Sequence, residues 1–212
     1  MTDIPDASFR MSPTEITNAQ YEAFDPSHKA YRGYKGFSKA DDEAVIMVSW
    51  EEADAYCAWL SRKTGRTFRL PTEAEWEYAC RAGSATKYNT GETFPEDQWK
   101  VQENTRDKVP VSLQVAQFAP NAWGLYDMHG LVFEWCLDQF QTHPDTPQID
   151  PVGALDNMSN RVVKGGTYRT SLVQGRSAAR RGVSVTARYD PSFGGWIGFR
   201  PCCPAVIPAQ KD

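Results

Sequence analysis

Histidine and paired cysteine are scarce in this chain. The three histidines are His28, His129 and His143, and none stands at ligand spacing from another histidine or a cysteine, which argues against zinc. The five cysteines, Cys57, Cys80, Cys136, Cys202 and Cys203, are an odd number without a CxxC pair, so a full disulfide framework is not expected in 212 residues. No apolar run approaches the roughly 20 residues that a membrane helix needs. The first ten residues lack the basic start and apolar stretch of a secretory signal. A cytoplasmic protein with no membrane partner is therefore the expectation. There is no internal repeat and no low-complexity tract.

What is present favours a packed globule. Aromatic residues make up 12% of the chain, with seven tryptophans, enough to fill the core of one large domain over residues 1–212. The net charge of −4 conceals an asymmetry. Residues 161–200 hold eight Lys or Arg and one acid, Asp190, a local +7 that leaves −11 for the remainder. A basic segment can attract nucleic acid or an acidic partner, but clustered charge alone is weak support, and nucleic acid is not expected.

Helix signals are local and strong. Thr17 with Gln20 three residues on forms a capping box, and Asp25-Pro26 stops the helix that follows. Ser49 caps a second helix with Glu52 at its third position. Trp50, Ala53, Cys57 and Leu60 recur at three and four residues and give it one apolar face, and Gly65 ends it. Thr72 and Glu75 open a third helix through Arg81, closed by Gly83. Residues 31–42, 82–120 and 141–159 read as loops. A loop tract as long as 82–120 is unusual and needs many hydrogen bonds or an ion to hold it. Val132 to Cys136 reads as a strand, Val162-Val163 begins another, and Trp196 to Arg200 reads as the last. Short strands, few helices and no βαβ rhythm give an α+β class.

Several blocks, in order, resemble the formylglycine-generating enzyme (sulfatase-modifying factor) family. They are Glu15-Ile-Thr-Asn-Ala-Gln-Tyr21, Val48-Ser-Trp-Glu-Glu-Ala53, Arg69-Leu-Pro-Thr-Glu-Ala-Glu-Trp-Glu-Tyr78, Asn121-Ala-Trp-Gly-Leu-Tyr-Asp-Met-His-Gly130, Glu134-Trp135, Lys164-Gly-Gly-Thr-Tyr168 and Gly198-Phe-Arg200. Together they span nearly the whole chain. The resemblance implies a loop-rich variant of the C-type-lectin-like fold, low in regular structure. It also implies that several of the late arginines fix loops. Buried carboxylates need partners, so Glu73, Glu75, Glu77 and above all Glu134 are expected to pair with Arg176, Arg180 and Arg200.

The enzymes of that family oxidise a substrate cysteine with oxygen and a copper(I) ion held by two cysteines. The first follows the Gly-Gly-(Ser/Thr)-Tyr element by two residues, and that position here is Thr170. The stretch up to Arg176 is also shorter, leaving no counterpart of the second. Soft copper(I) needs thiolates, so copper is not expected as a cofactor. A thiohistidine-forming branch of the family attaches a histidine-bearing iron domain that this chain lacks. The resemblance further implies calcium, with Asn104 and Asp107 matching one site loosely; at a second site the expected Asn after Gly130 is Leu131. It makes Cys57 and Cys202 neighbours, as a disulfide or as core residues, and places Ser177 where the partner of Cys80 would stand. Cys136 is read as core and Cys203 as exposed.

With the sulfur chemistry gone, the surface that held it is free to bind. Tyr168, Arg169, Thr170, Ser171, Arg188, Tyr189 and Trp196 are the candidate ligand contacts, because Tyr, Trp and Arg dominate contact energetics. For Tyr168 and Trp196 packing under the loops is the alternative, and for Trp196, next to Ile197, it is an equal one. Residues 167–195 contain no Lys, Glu, Met, Trp or Asn, a composition that resembles the mutagenised segment of retroelement-diversified variable proteins. Residues 161–200 are therefore read as the ligand-facing segment and 201–212 as a tail. Three functions stand: a non-catalytic, lectin-like domain binding a protein or small ligand, a copper oxidase, or an inactive partner subunit of such an enzyme.

Overall fold

The computed structural model describes residues 1–95, 112–142, 160–190, 192 and 195–205. Its helices form where the capping signals stand. α1 (Asn18–Glu22), α2 (Trp50–Thr64) and α3 (Glu73–Arg81) start at Thr17, Ser49 and Thr72. Each start is a reciprocal box in which Gln20, Glu52 or Glu75 reaches back to the cap N–H. α2 stops at Gly65, whose φ of 70° is the left-handed turn that glycine adopts freely. α3 ends at Arg81 as expected, but its cap is Ala82, left-handed at φ 46°, with Gly83 also left-handed behind it at φ 86°.

The strands are β1 (Thr2–Asp3), β2 (Phe9–Met11), β3 (Phe133–Gln139), β4 (Asn160–Lys164), β5 (Arg181–Ser184), β6 (Tyr189–Asp190), β7 (Gly195–Gly198) and β8 (Cys202–Pro204). An antiparallel sheet runs β1-β2-β8 and sets Phe9 opposite Pro204. A mixed sheet runs β5-β4-β3-β7-β6, in which β3 and β7 are the parallel pair. The class is α+β, as expected. Two boundaries differ from expectation. The strand expected at Val132–Cys136 runs on to Gln139, and residues 202–204, expected in a tail, are a strand paired with β2.

Alternation along β3 positions everything else. Phe133, Trp135 and Leu137 pack with Ala53, Tyr56 and Cys57 of α2. Glu134, Cys136 and Asp138 turn to α3: Trp76 Nε1 donates to Glu134 Oε2 at 2.8 Å, Cys136 packs with Trp76, Ala79 and Cys80, and Glu73 N donates to Asp138 at 2.6 Å. The large sheet is thus the middle layer between the two helices.

Glu134 and Arg200, both fully buried, form the expected pair through two contacts of 2.7 and 2.8 Å. The same guanidinium donates to the carbonyls of Pro13 at 3.0 Å and Tyr126 at 2.9 Å, and lies 3.5 Å from Glu15. Burial works against its charge, but Glu134 and then Glu15 outweigh it and raise the Arg200 pKa. Of the other glutamates, Glu73 takes a partner the sequence indicated, and Glu75 and Glu77 take partners it did not. Glu73 takes Arg180 at 2.7 Å, Glu75 takes Arg69 at 2.6 Å, and Glu77 takes Arg81 at 2.8 Å and Lys164 at 3.0 Å.

All five cysteines are free thiols and all are buried. Cys203, expected at the surface, is 1% exposed. β8 carries it inward, where Arg66 Nη2 lies 3.4 Å from its sulfur. Burial drives the Cys57 thiol far above its ordinary value, with Asp54 and the neighbouring Cys202 adding to the rise. Cys80 is pushed up to about 12 by burial, opposed by the Ser177 hydroxyl, so these two stand together as the resemblance implied. The loop chain is fastened by side chains, as at Glu43, which accepts from the backbone N–H of Ala40 (2.9 Å) and Leu113 (2.8 Å) and from the Ser112 hydroxyl (3.0 Å). Asn104 and Asp107, the residues expected to hold calcium, lie outside the described residues.

Candidate functional site

Beyond β4 the chain turns on two successive left-handed glycines, Gly165 at φ 88° and Gly166 at φ 76°. A side chain on Gly166 would stand 2.8 Å from Thr170 Oγ1 and 3.2 Å from Gly175 Cα, so only glycine lets the following loop fold back this closely. Thr170 closes that loop. Its hydroxyl accepts from Thr167 N at 2.9 Å and donates to Thr167 O at 3.0 Å. The residue that stands where the family places its first copper cysteine is therefore 1% exposed and already bonded to its own turn. A hard, neutral hydroxyl oxygen is a poor ligand for a soft ion. Among the described residues no three His, Cys, Asp or Glu side chains are grouped to hold a metal. Leu131 has a left-handed φ of 67° and packs among Val132, Tyr168 and Trp196.

The seven expected contact residues divide by depth. Tyr168, Thr170 and Trp196 are buried at 1, 1 and 2% exposure and are corrected from contacts to supports. Burial pushes the Tyr168 hydroxyl up to about 12. Arg169 and Ser171 are exposed, and Arg188 and Tyr189 are half-buried. Arg188 is held by Glu52 and by the Tyr31 hydroxyl. Tyr189 lies tilted against Trp196, with ring centroids 4.7 Å apart.

Tyr34 and Lys35, in the stretch whose composition indicates a loop, complete this face. Tyr34, 42% exposed, meets Trp196 edge-on at 5.6 Å. The Lys35 ammonium lies 5.6 Å from the Tyr34 ring, 5.5 Å from Tyr189 and 6.0 Å from Trp196. The aromatic and lysine-rich composition of residues 31–42 was the available signal, but nothing local tied it to residues 189–196.

A cleft of about 290 Å³ opens beside β4. Val163, Val173 and Ala178 give it apolar walls, and Lys164, Arg176 and Arg180 give it charge. The Lys164 ammonium is buried between Glu77 and Glu73, at 3.0 and 3.9 Å. A second cleft, of about 170 Å³, runs past His129. That imidazole is closed on both sides: Nδ1 lies 2.8 Å from Gly175 O, and Nε2 accepts from Asn89 N at 3.1 Å. Burial, with a smaller push from Arg81, lowers its pKa to about 4, outweighing the bond to Gly175. The ring is neutral at neutral pH, with its proton assigned to Nδ1 by these partners.

A family model for the sulfatase-modifying factor enzyme 1-like domain matches residues 1–203. The chain is 35% identical over 170 residues to the formylglycine-generating enzyme of Streptomyces coelicolor, covering 74% of this chain and 51% of that protein. It is 39% identical over 176 residues to the inactive C-alpha-formylglycine-generating enzyme 2 of Mus musculus, covering 78% of this chain and 51% of that protein. The chain thus spans about half the length of these two relatives. Treponema denticola variable protein 1 has the same fold, with a TM-score of 0.76 at 22% identity over 97% of this chain and 92% of that one. The loop-rich α+β architecture, the ordered blocks and these matches agree: the chain belongs to the sulfatase-modifying factor enzyme 1-like domain family.

Proposed function

We propose that this chain is a non-catalytic binding domain on a formylglycine-generating-enzyme scaffold. Its ligand face is the 161–200 segment with Tyr34 and Lys35, and its ligand is a protein or a small molecule. The observation that carries the reading is Thr170, whose hydroxyl is bonded twice to Thr167 at the position of a copper cysteine. The inactive mouse relative supports it, because a scaffold of this family without activity has a named precedent. The depth pattern supports it too. Exposed Arg169, Ser171, Val173, Ser184 and Thr186 stand on loops, a short 3-10 helix or a strand end, while buried Thr170, Val183 and Trp196 hold the frame, an arrangement that also suits a segment diversified at its surface.

The test is turnover. The purified chain is incubated with copper(I), oxygen and a peptide carrying a Cys-X-Pro-X-Arg motif, with the Streptomyces enzyme as the active control. Mass spectrometry is expected to return the peptide unchanged. Aldehyde in the peptide would make the chain an oxidase and end the binding reading.

A further inference from the structure

One arginine of the cleft beside β4 is left without a carboxylate. Within the cleft Arg180 is taken by Glu73 and Arg181 by Asp190, and Arg200, outside it, is taken by Glu134. Arg176, expected to do the same, meets no carboxylate among the described residues. Its Nε donates to Val173 O at 2.8 Å, which anchors the stem and leaves both Nη groups without a protein acceptor among those residues. Nearby, Lys164 and Arg180 already saturate Glu73 and Glu77, so no spare acid waits to fold onto Arg176. A guanidinium anchored through Nε presents its paired Nη groups as a planar fork, the geometry that a carboxylate matches with two parallel hydrogen bonds. The apolar wall of Val173 and Ala178 suits a carbon chain attached to it, and about 290 Å³ is the size of a small-molecule site.

We propose that this cleft binds the carboxylate of a small organic acid, with Arg176 Nη1 and Nη2 gripping its two oxygens. The proposal rests on residues 161–200 being ligand-facing, and it assigns the ligand to the cleft and not to the Tyr34–Tyr189 face.

The full chain is titrated with hexanoate, with hexanamide and with hexyl phosphate while amide and arginine Nε resonances are followed by NMR. Hexanoate is expected to shift Gly165, Gly166 and Arg176 Nε saturably, and hexanamide to leave them in place. Arg176→Gln is expected to weaken hexanoate about tenfold or more, the loss of a charge-assisted fork. Arg176→Lys, which keeps the charge without the fork, is expected to fall between. Arg62→Gln, exposed in the last turn of α2 and outside the cleft, is expected to bind like the parent. Equal binding of hexanamide, binding indifferent to Arg176, or no saturable shift at the glycines overturns the proposal. Tighter binding of hexyl phosphate would replace the carboxylate by a phosphate. Shifts confined to Tyr34 and Tyr189 would remove the cleft and keep the ligand-facing reading, whereas aldehyde formed in the peptide assay would remove that reading itself.

Discussion

His129 shows how one buried side chain couples this fold to pH. Its folded pKa of about 4 lies below the ordinary 6.5, so its stabilising contribution is complete above 6.5 and is lost as pH falls towards 4. The loss integrates to roughly 3 kcal/mol at about 1.4 kcal/mol per unit. His28, lowered by burial, acts in the same sense. Glu15, raised by burial against Arg200, acts in the opposite one: its contribution is present below the ordinary carboxylate value and is lost as pH rises through its folded value. Urea unfolding at pH 7 and pH 5 is expected to show a lower midpoint at pH 5, with the difference shrinking in His129→Gln. An unchanged difference in that variant would assign the slope elsewhere. At this scale the sequence was legible where chemistry depends on identity. A threonine cannot be a copper thiolate wherever it sits, so Thr170 could be read directly. The depth of Trp196 could not, because β7 is buried from Gly195 to Gly198 and carries no alternation to mark an outer face. Nor could the free state of Arg176, since which glutamate reaches which arginine is settled by tertiary placement.

Among the elements, the helices were legible because their signals are short-range. A cap, a box partner three residues on and a terminal glycine all lie within one turn of the backbone they satisfy. The exception is instructive. Ala82 takes the left-handed cap of α3 although Gly83 follows it. An L-residue in that conformation is strained by roughly 1–2 kcal/mol, and glycine is not, though glycine loses more freedom on folding. Ala82→Gly is expected to stabilise the domain by about 0.5 kcal/mol in denaturant unfolding; destabilisation would mean that the Ala82 methyl packs better than its backbone suffers. The strand β8 was not legible. Three residues holding two cysteines and a proline have no period of their own, and their pairing comes from β2 at the far end of the chain.

Across the whole molecule, the chemistry is shut inside. Five thiols, all buried, are spread over α2, α3, β3 and β8, and burial raises Cys57, Cys80, Cys136 and Cys202. A thiolate is the reactive form, so native protein at pH 7 is expected to give fewer than about one fast equivalent with Ellman's reagent, and all five after unfolding. Fast labelling of Cys203 in the native state would show that β8 detaches from β2. That same pairing has a kinetic side. Phe9 sits opposite Pro204, and β3 gains its parallel neighbour from residues 195–198. Neither sheet can close while a chain is still growing through its middle, and closing loops of this length is slow. Until then β2 offers an unpaired edge to any other chain nearby. The domain is thereby committed to folding after its synthesis, as one late event, and what guards β2 in the interval decides how much of it survives.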